Sequence, residues 1–260
     1  MPWPQIGDRR ALDILTIILL FVAGVFTGMI NAVAGGGTFL SFGALTLIGV
    51  PPVVANATSS ITQFPGYITS TLAYWEDFKT FWRGAIALSL ASIAGALLGS
   101  WILLQLDNPQ FRTLVPWLLL AATALFAAGP YLKPKPKPGQ QASVGSFFGT
   151  AMQFVTAIYG GFFGAGMGVM MLASLGLSQA GDYHRLNALK NMLAVVIAAV
   201  AIVVFVSGGV VAWPQAIVMI PGVALGGWSG VWVAKRVPQT VMRWIVIAVG
   251  LLLAVYYFVK

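Results

Sequence analysis

Residues 31–60 read NAVAGGGTFLSFGALTLIGVPPVVANATSS. A glycine cluster opens a short apolar run, two prolines close it, and a step of small polar residues built around Asn56 follows. Laid over the residues 131 positions later, Gly35, Gly37, Asn56 and Ala57 fall on Gly166, Gly168, Asn187 and Ala188 without a gap. The register persists outward: Trp82 meets Trp213, Gly95 and Gly99 meet Gly226 and Gly230, Trp101 meets Trp232, and Arg112 meets Arg243. The chain reads as an internal duplication, and chemistry is to be sought where polar residues interrupt each apolar copy.

Of the 260 residues 59% are hydrophobic and only 8% charged, and the mean hydropathy is +0.90. That composition cannot coat a soluble globule with polar side chains, so the chain belongs in a bilayer. Its apolar runs reach about 20 residues, long enough as helices to cross a hydrocarbon core of roughly 30 Å. They lack the alternation of barrel strands, and helices satisfy their own backbone groups in lipid. The expected fold is therefore an all-α polytopic membrane protein. The net charge of +8 is scattered over short loops, which fits loops between spans and argues against nucleic acid. Cysteine is absent and there is one histidine, so no thiolate or His-rich metal site is expected. Arg9-Arg10, an apolar run and Ala32-Val33-Ala34 imitate a cleaved secretory signal. The run from Leu12 to Ile30 is too long for one, and cleavage would remove part of the first copy.

Taken in order, residues 1–10 form a polar lead, 11–130 a first membrane repeat, 131–143 a linker and 144–260 a second repeat. Alternating lysine and proline from Lys133 to Pro138 cannot be helical and marks the boundary. Each copy predicts five segments, the second of them, Thr38–Val50 or Gly168–Leu177, too short to cross comfortably. If the short segments cross, the second copy is inverted, with about ten basic residues inside and about four outside. If they re-enter, the balance is about eight against six. The inverted five-plus-five arrangement is preferred. Gly95 and Gly99, with Ala91 one turn earlier, form a face on which another helix packs closely; such faces also leave a homodimer open.

Glycines at 35, 36 and 37, repeated at 166 and 168, either permit tight helix crossing or break helices at membrane depth. In the second case they expose helix N-termini suited to an anion. Asn56, Thr58, Ser59 and Ser60 in one copy, and Asn187, Lys190 and Asn191 in the other, either cap their helices or contact a ligand. Lys190 stands out, because an ammonium at the helix centre costs about 2.5–3.5 kcal/mol on lenient scales unless it snorkels or finds a partner. The offset matches Lys190 with Ser59 and Asn191 with Ser60, so one cavity could receive a cation and hydroxyls from opposite sides. That set suits a small oxyanion. Asn31, Gln63, Tyr159 and His184 are candidates for pore lining or gating. No paired carboxylates, GxSxG, HExxH or phosphate-binding loop points to an enzyme.

The run GMINAVAGGGTFLSFGALTLIGVPPVVANATS and its second version, GGFFGAGMGVMMLASLGLSQAGDYHRLNALKN, resemble the sulfite exporter TauE/SafE family of bacterial membrane transporters, over about residues 14–258. The second version has Leu189-Lys190 where the first has Thr58-Ser59. The resemblance implies passage of a sulfur oxyanion or organosulfonate across the bacterial inner membrane, without an organic cofactor. A secondary transporter with alternating access is the expected function, most naturally an exporter. A passive anion channel and an intramembrane enzyme using His184 and Asp182 are the alternatives.

Overall fold

The computed structural model describes residues 12–33, 35–74, 85–128, 147–178, 183–234 and 239–259. These residues form ten α-helices and no strand. In chain order they are α1 (Ile14–Val33), α2 (Thr38–Leu47), α3 (Pro52–Ala73), α4 (Ala85–Leu104) and α5 (Asn108–Ala128). Then come α6 (Phe147–Phe162), α7 (Met167–Ser178), α8 (Tyr183–Ser207), α9 (Trp213–Ala234) and α10 (Gln239–Val259). The polar lead, the Glu76-Asp77-Lys79 loop, the Lys/Pro linker and Asp182 fall outside the described residues.

Most helices run 20 to 25 residues, and Ile14–Ala32, Ala85–Leu104 and Arg185–Ser207 are long and apolar enough to cross a membrane. The expected short elements appear as α2 and α7, with 10 and 12 residues. At about 1.5 Å per residue neither covers the hydrocarbon core alone. Proline in the first turn lets α3 start at Pro52, four residues before the Asn56 step, so the polar residues lie in the helix's second turn. In the same way Asn187 is the fifth residue of α8, as Asn56 is of α3.

Polarity is distributed as in a protein whose solvent is lipid. Ile14, Leu90, Trp117, Trp228 and Leu252 face outward, while Asn31, Ser59, Gln63, Gln153, Asn187 and Lys190 are buried. The helices of the two halves interleave. α1 lies along α9 and α6 along α4, α3 crosses α8 and α9, and α5 pairs with α10. Small residues set the closest approaches: a β-carbon at Gly99 would strike the Ile158 carbonyl of α6, and one at Gly226 the Val25 carbonyl of α1. The small-residue face expected on α4 is thus used within the chain, against α6.

At the centre the two glycine breaks touch. Gly35 has φ +82°, and a β-carbon there would lie 2.6 Å from the Gly168 Cα. Below this contact the core is aromatic, with Phe42 of α2 edge-on to Phe163 at a centroid distance of 5.7 Å and stacked on Tyr257 of α10. The Thr46 and Tyr257 hydroxyls share a 3.0 Å hydrogen bond that ties α2 to α10.

Gly35→Ala is expected to cost about 2–5 kcal/mol, from a left-handed β-carbon penalty of about 1–2 kcal/mol and overpacking of about 1–3 kcal/mol. Gly49→Ala, at φ +84° with open space around it, carries only the first penalty. Thermal unfolding of both variants in detergent checks the difference, and equal losses would refute the backbone contact as the source of stability.

Candidate functional site

Where α1 stops, its last carbonyls need partners, because lipid offers none. Three have them. The Gly35 N–H donates to Ile30 O at 3.1 Å, Lys190 Nζ donates to Asn31 O at 2.8 Å, and Asn187 Nδ2 donates to Ala32 O at 2.8 Å and to the Tyr74 hydroxyl at 3.2 Å. Cationic and amide donors at a helix C-terminus also oppose the negative end of its dipole. The other half is built alike: Gly164, at φ +72°, donates to Tyr159 O at 3.3 Å, and Asn56 Nδ2 donates to Phe162 O at 2.9 Å. Each asparagine therefore holds the broken helix end of the opposite half.

Lys190 is 0% exposed, so it does not snorkel out of the protein. An ammonium has three N–H donors, and among the described residues one is engaged, on Asn31 O. Beside it Asn191 is also fully buried, and neither its Oδ1 nor its Nδ2 has a partner among the described residues. Buried amides without partners are rare in native structures and mark places where something else binds.

Asn31 joins this cation to a cavity. Its backbone oxygen receives Lys190, and its side-chain nitrogen reaches Gln63 Oε1, Thr38 Oγ1 at 3.3 Å and the Tyr67 hydroxyl at 3.5 Å. Its side-chain oxygen accepts the Gly37 N–H at 2.7 Å, so one N–H at the start of α2 is already occupied. Gln63 in turn donates to Ser41 Oγ at 3.1 Å. Thr38, Ser60, Gln63 and Tyr67 are the polar residues lining the cavity, together with Gly160 and Gly164. Met167, Ile197, Ala198 and Ala201 are its apolar lining. Ile197, Ala198 and Ala201 share a face of α8 with Lys190, at spacings of seven, eight and eleven residues. Open space in the cavity is enough for about one water molecule, and neither Lys190 nor Asn191 is among its lining residues.

Other expected residues are placed differently. Thr58 Oγ1 accepts the Ala212 N–H at 2.9 Å, just ahead of α9. Ser59 and Ser60 donate to Asn56 O within α3, and only Ser60 of the two lines the cavity. Tyr159 donates to Ala165 O at 2.7 Å and so braces the second glycine break. Gly35, Gly36, Gly37, Gly166 and Gly168 are buried around the two breaks. His184 is in the first turn of α8, and its side chain lies outside the described residues. Thr38, Ser41, Tyr67 and Tyr74 were not singled out by the sequence. A sign of Tyr67 was there: Ser60, Gln63 and Tyr67 follow one helical face at i, i+3 and i+7.

Thr58→Val should therefore lower stability by about 1–2 kcal/mol, the usual cost of an orphaned buried N–H, and leave the half-saturating concentration for transport unchanged. Denaturation and transport assays on the same preparation test this. A raised half-saturating concentration without destabilisation would place Thr58 on the substrate.

The chain matches the family model described as Sulfite exporter TauE/SafE over residues 20–257. A probable membrane transporter protein of Haemophilus influenzae is 25% identical over 248 residues, covering 93% of each chain. The probable membrane transporter protein ORF9 of a Sinorhizobium species is 27% identical, covering 92% of this chain and 91% of its own. YfcA of Escherichia coli K12, also a probable membrane transporter protein, is 25% identical, covering 91% and 87%. With nearly its whole length accounted for, and with helices apolar enough to cross a bilayer, this chain is a membrane transporter belonging to the sulfite exporter TauE/SafE family.

Proposed function

We propose that the protein is a secondary transporter that exports a small sulfur oxyanion or organosulfonate across the bacterial inner membrane by alternating access. The observation that carries this reading is the Lys190 ammonium, fully buried and hydrogen-bonded at the broken end of α1 to Asn31, whose side chain contacts Thr38, Gln63 and Tyr67 in the lining of a small cavity. The two N–H donors of Lys190 beyond the one on Asn31, the Asn191 amide, and the hydroxyls of Ser60, Thr38 and Tyr67 form the anion-binding set. Gln63 and Asn31 orient it. The sulfonate head sits toward Lys190, and any carbon tail lies on the wall of Met167, Ile197 and Ala198.

Alternating access follows from an inverted repeat of two five-helix halves, residues 11–130 and 144–260. Support comes from the exchange of contacts: α1 with α9 is matched by α6 with α4, and α3 with α9 by α8 with α4. Rocking one half on the other opens the cavity to either side, with Asn56 and Asn187 as the reciprocal ties between them.

A charge-assisted contact is worth about 1.5–3 kcal/mol, so losing it weakens anion binding about 10- to 100-fold. Lys190→Ala is therefore expected to fold, run as a single species in detergent and lose transport. The test is uptake of labelled sulfite, sulfoacetate and taurine into proteoliposomes, with counterflow to separate carrier exchange from channel flux. Full activity in Lys190→Ala would sink the site. Flux without counterflow would make the protein a channel.

A further inference from the structure

Among the described residues, Lys190 is buried without a carboxylate partner. Its helix, α8, packs against α3, α4, α6 and α7, and Lys190 itself reaches α1. The sequences of α1, α4 and α7 contain no titratable residue. Tyr67 and Tyr159 are the titratable residues within α3 and α6, and Tyr74 caps α3. The Tyr159 hydroxyl donates to Ala165 O, the Tyr74 hydroxyl accepts from Asn187, and the Tyr67 hydroxyl lies on the Asn31 side-chain amide, all three without a negative charge. On α8 itself Tyr183, His184 and Arg185 occupy the first turn, and none of them is acidic. Of the six acidic residues, Asp13 and Asp107 are described and lie outside the ten helices, and Asp8, Glu76, Asp77 and Asp182 fall outside the described residues.

A lone positive charge at this depth has two means of compensation: an anion bound beside it, or loss of its proton. The carbonyl end of α1 offers only a partial negative charge. Asn31 O can accept a hydrogen bond from an ammonium or, more weakly, from a neutral amine, so the contact that positions Lys190 is available in either form.

Resting on the reading that an anion binds at Lys190, we propose that this side chain carries a proton through the transport cycle. It is an ammonium while the anion is bound and a neutral amine while the empty carrier reorients, so each anion crosses together with one proton. Anion release in the open state admits water to the cavity. That water takes one proton from the ammonium, leaving the amine on Asn31 O, and reprotonation on the other side readies the site for the next anion. A monoanion then moves without net charge, and a dianion moves one negative charge per cycle. Outward flow is driven by the anion's own gradient, and an inwardly directed proton gradient opposes it.

The test uses proteoliposomes containing the full chain and a trapped pH-sensitive dye, with labelled methanesulfonate and sulfoacetate as probes. Exchange of labelled for unlabelled anion is measured beside net uptake and proton movement. In the native protein, net uptake should acidify the lumen by about one proton per anion. Methanesulfonate uptake should be unaffected by a membrane potential. In Lys190→Arg, whose guanidinium does not release its proton, the ratio of net flux to exchange should fall at least about tenfold. Net uptake without proton movement, or an unchanged ratio in Lys190→Arg, would overturn the proposal while leaving the anion carrier intact. Failure of the native protein to exchange either probe would instead remove the anion reading on which it rests. Should Lys190→Arg fail to fold, the proton-to-anion ratio of the native protein decides alone.

Discussion

A helix that ends inside a membrane must find partners for its last carbonyls within the protein, and much of this structure is arranged to supply them. α1 ends at Val33 and α6 at Phe162, each followed by a glycine in the left-handed region that donates to a carbonyl five residues back. The remaining donors arrive from the opposite half, Asn187 and Lys190 to α1 and Asn56 to α6. Folding of either half is thereby tied to docking of the other. The placement of Lys190 follows from the same constraint: the residue most costly to bury is held where a helix end is short of hydrogen-bond donors.

The two breaks are alike in backbone but not in chemistry. Asn31, Thr38, Gln63 and Tyr67 build the polar network of the first half. The residues 131 positions further on are Phe162, Val169, Ala194 and Ala198. Of these eight, Thr38, Gln63, Tyr67 and Ala198 line the cavity, so the first half contributes polar groups there and Ala198 of the second half an apolar one. Conversely, Ser59 of the first half answers to Lys190 of the second. A shared backbone plan thus carries different side chains at matching positions of the two halves.

Packing around the site is tight because backbone approaches backbone. Gly35 against Gly168, Gly99 against Ile158 and Gly226 against Val25 leave no room for a β-carbon. Lipid provides little hydrophobic drive to hold helices together, so van der Waals contact at small residues and buried hydrogen bonds do so. Such contacts have discrete arrangements and do not deform continuously.

The amino-acid sequence by itself determined the class of the protein. Its scarcity of charge demanded a bilayer, its run lengths gave helices, and its glycine and proline punctuation located the short segments now seen as α2 and α7. These features are local, so they can be read along the chain. The suspicion attached to Lys190 and the Asn56 and Asn187 steps was equally local, since each breaks an apolar run. What each polar group touches was decided by the tertiary structure. Thr58 faces the start of α9, Asn187 the end of α1, and Tyr67 a cavity shared with α8, contacts that span 154, 155 and some 130 residues of chain. The polar step begins a turn inside α3 because Pro52 suits the first turn of a helix and extends it backward. Hydrogen-bond partners in a membrane interior are chosen by which helix ends come together, and that depends on close packing between distant segments, which no single stretch of sequence records.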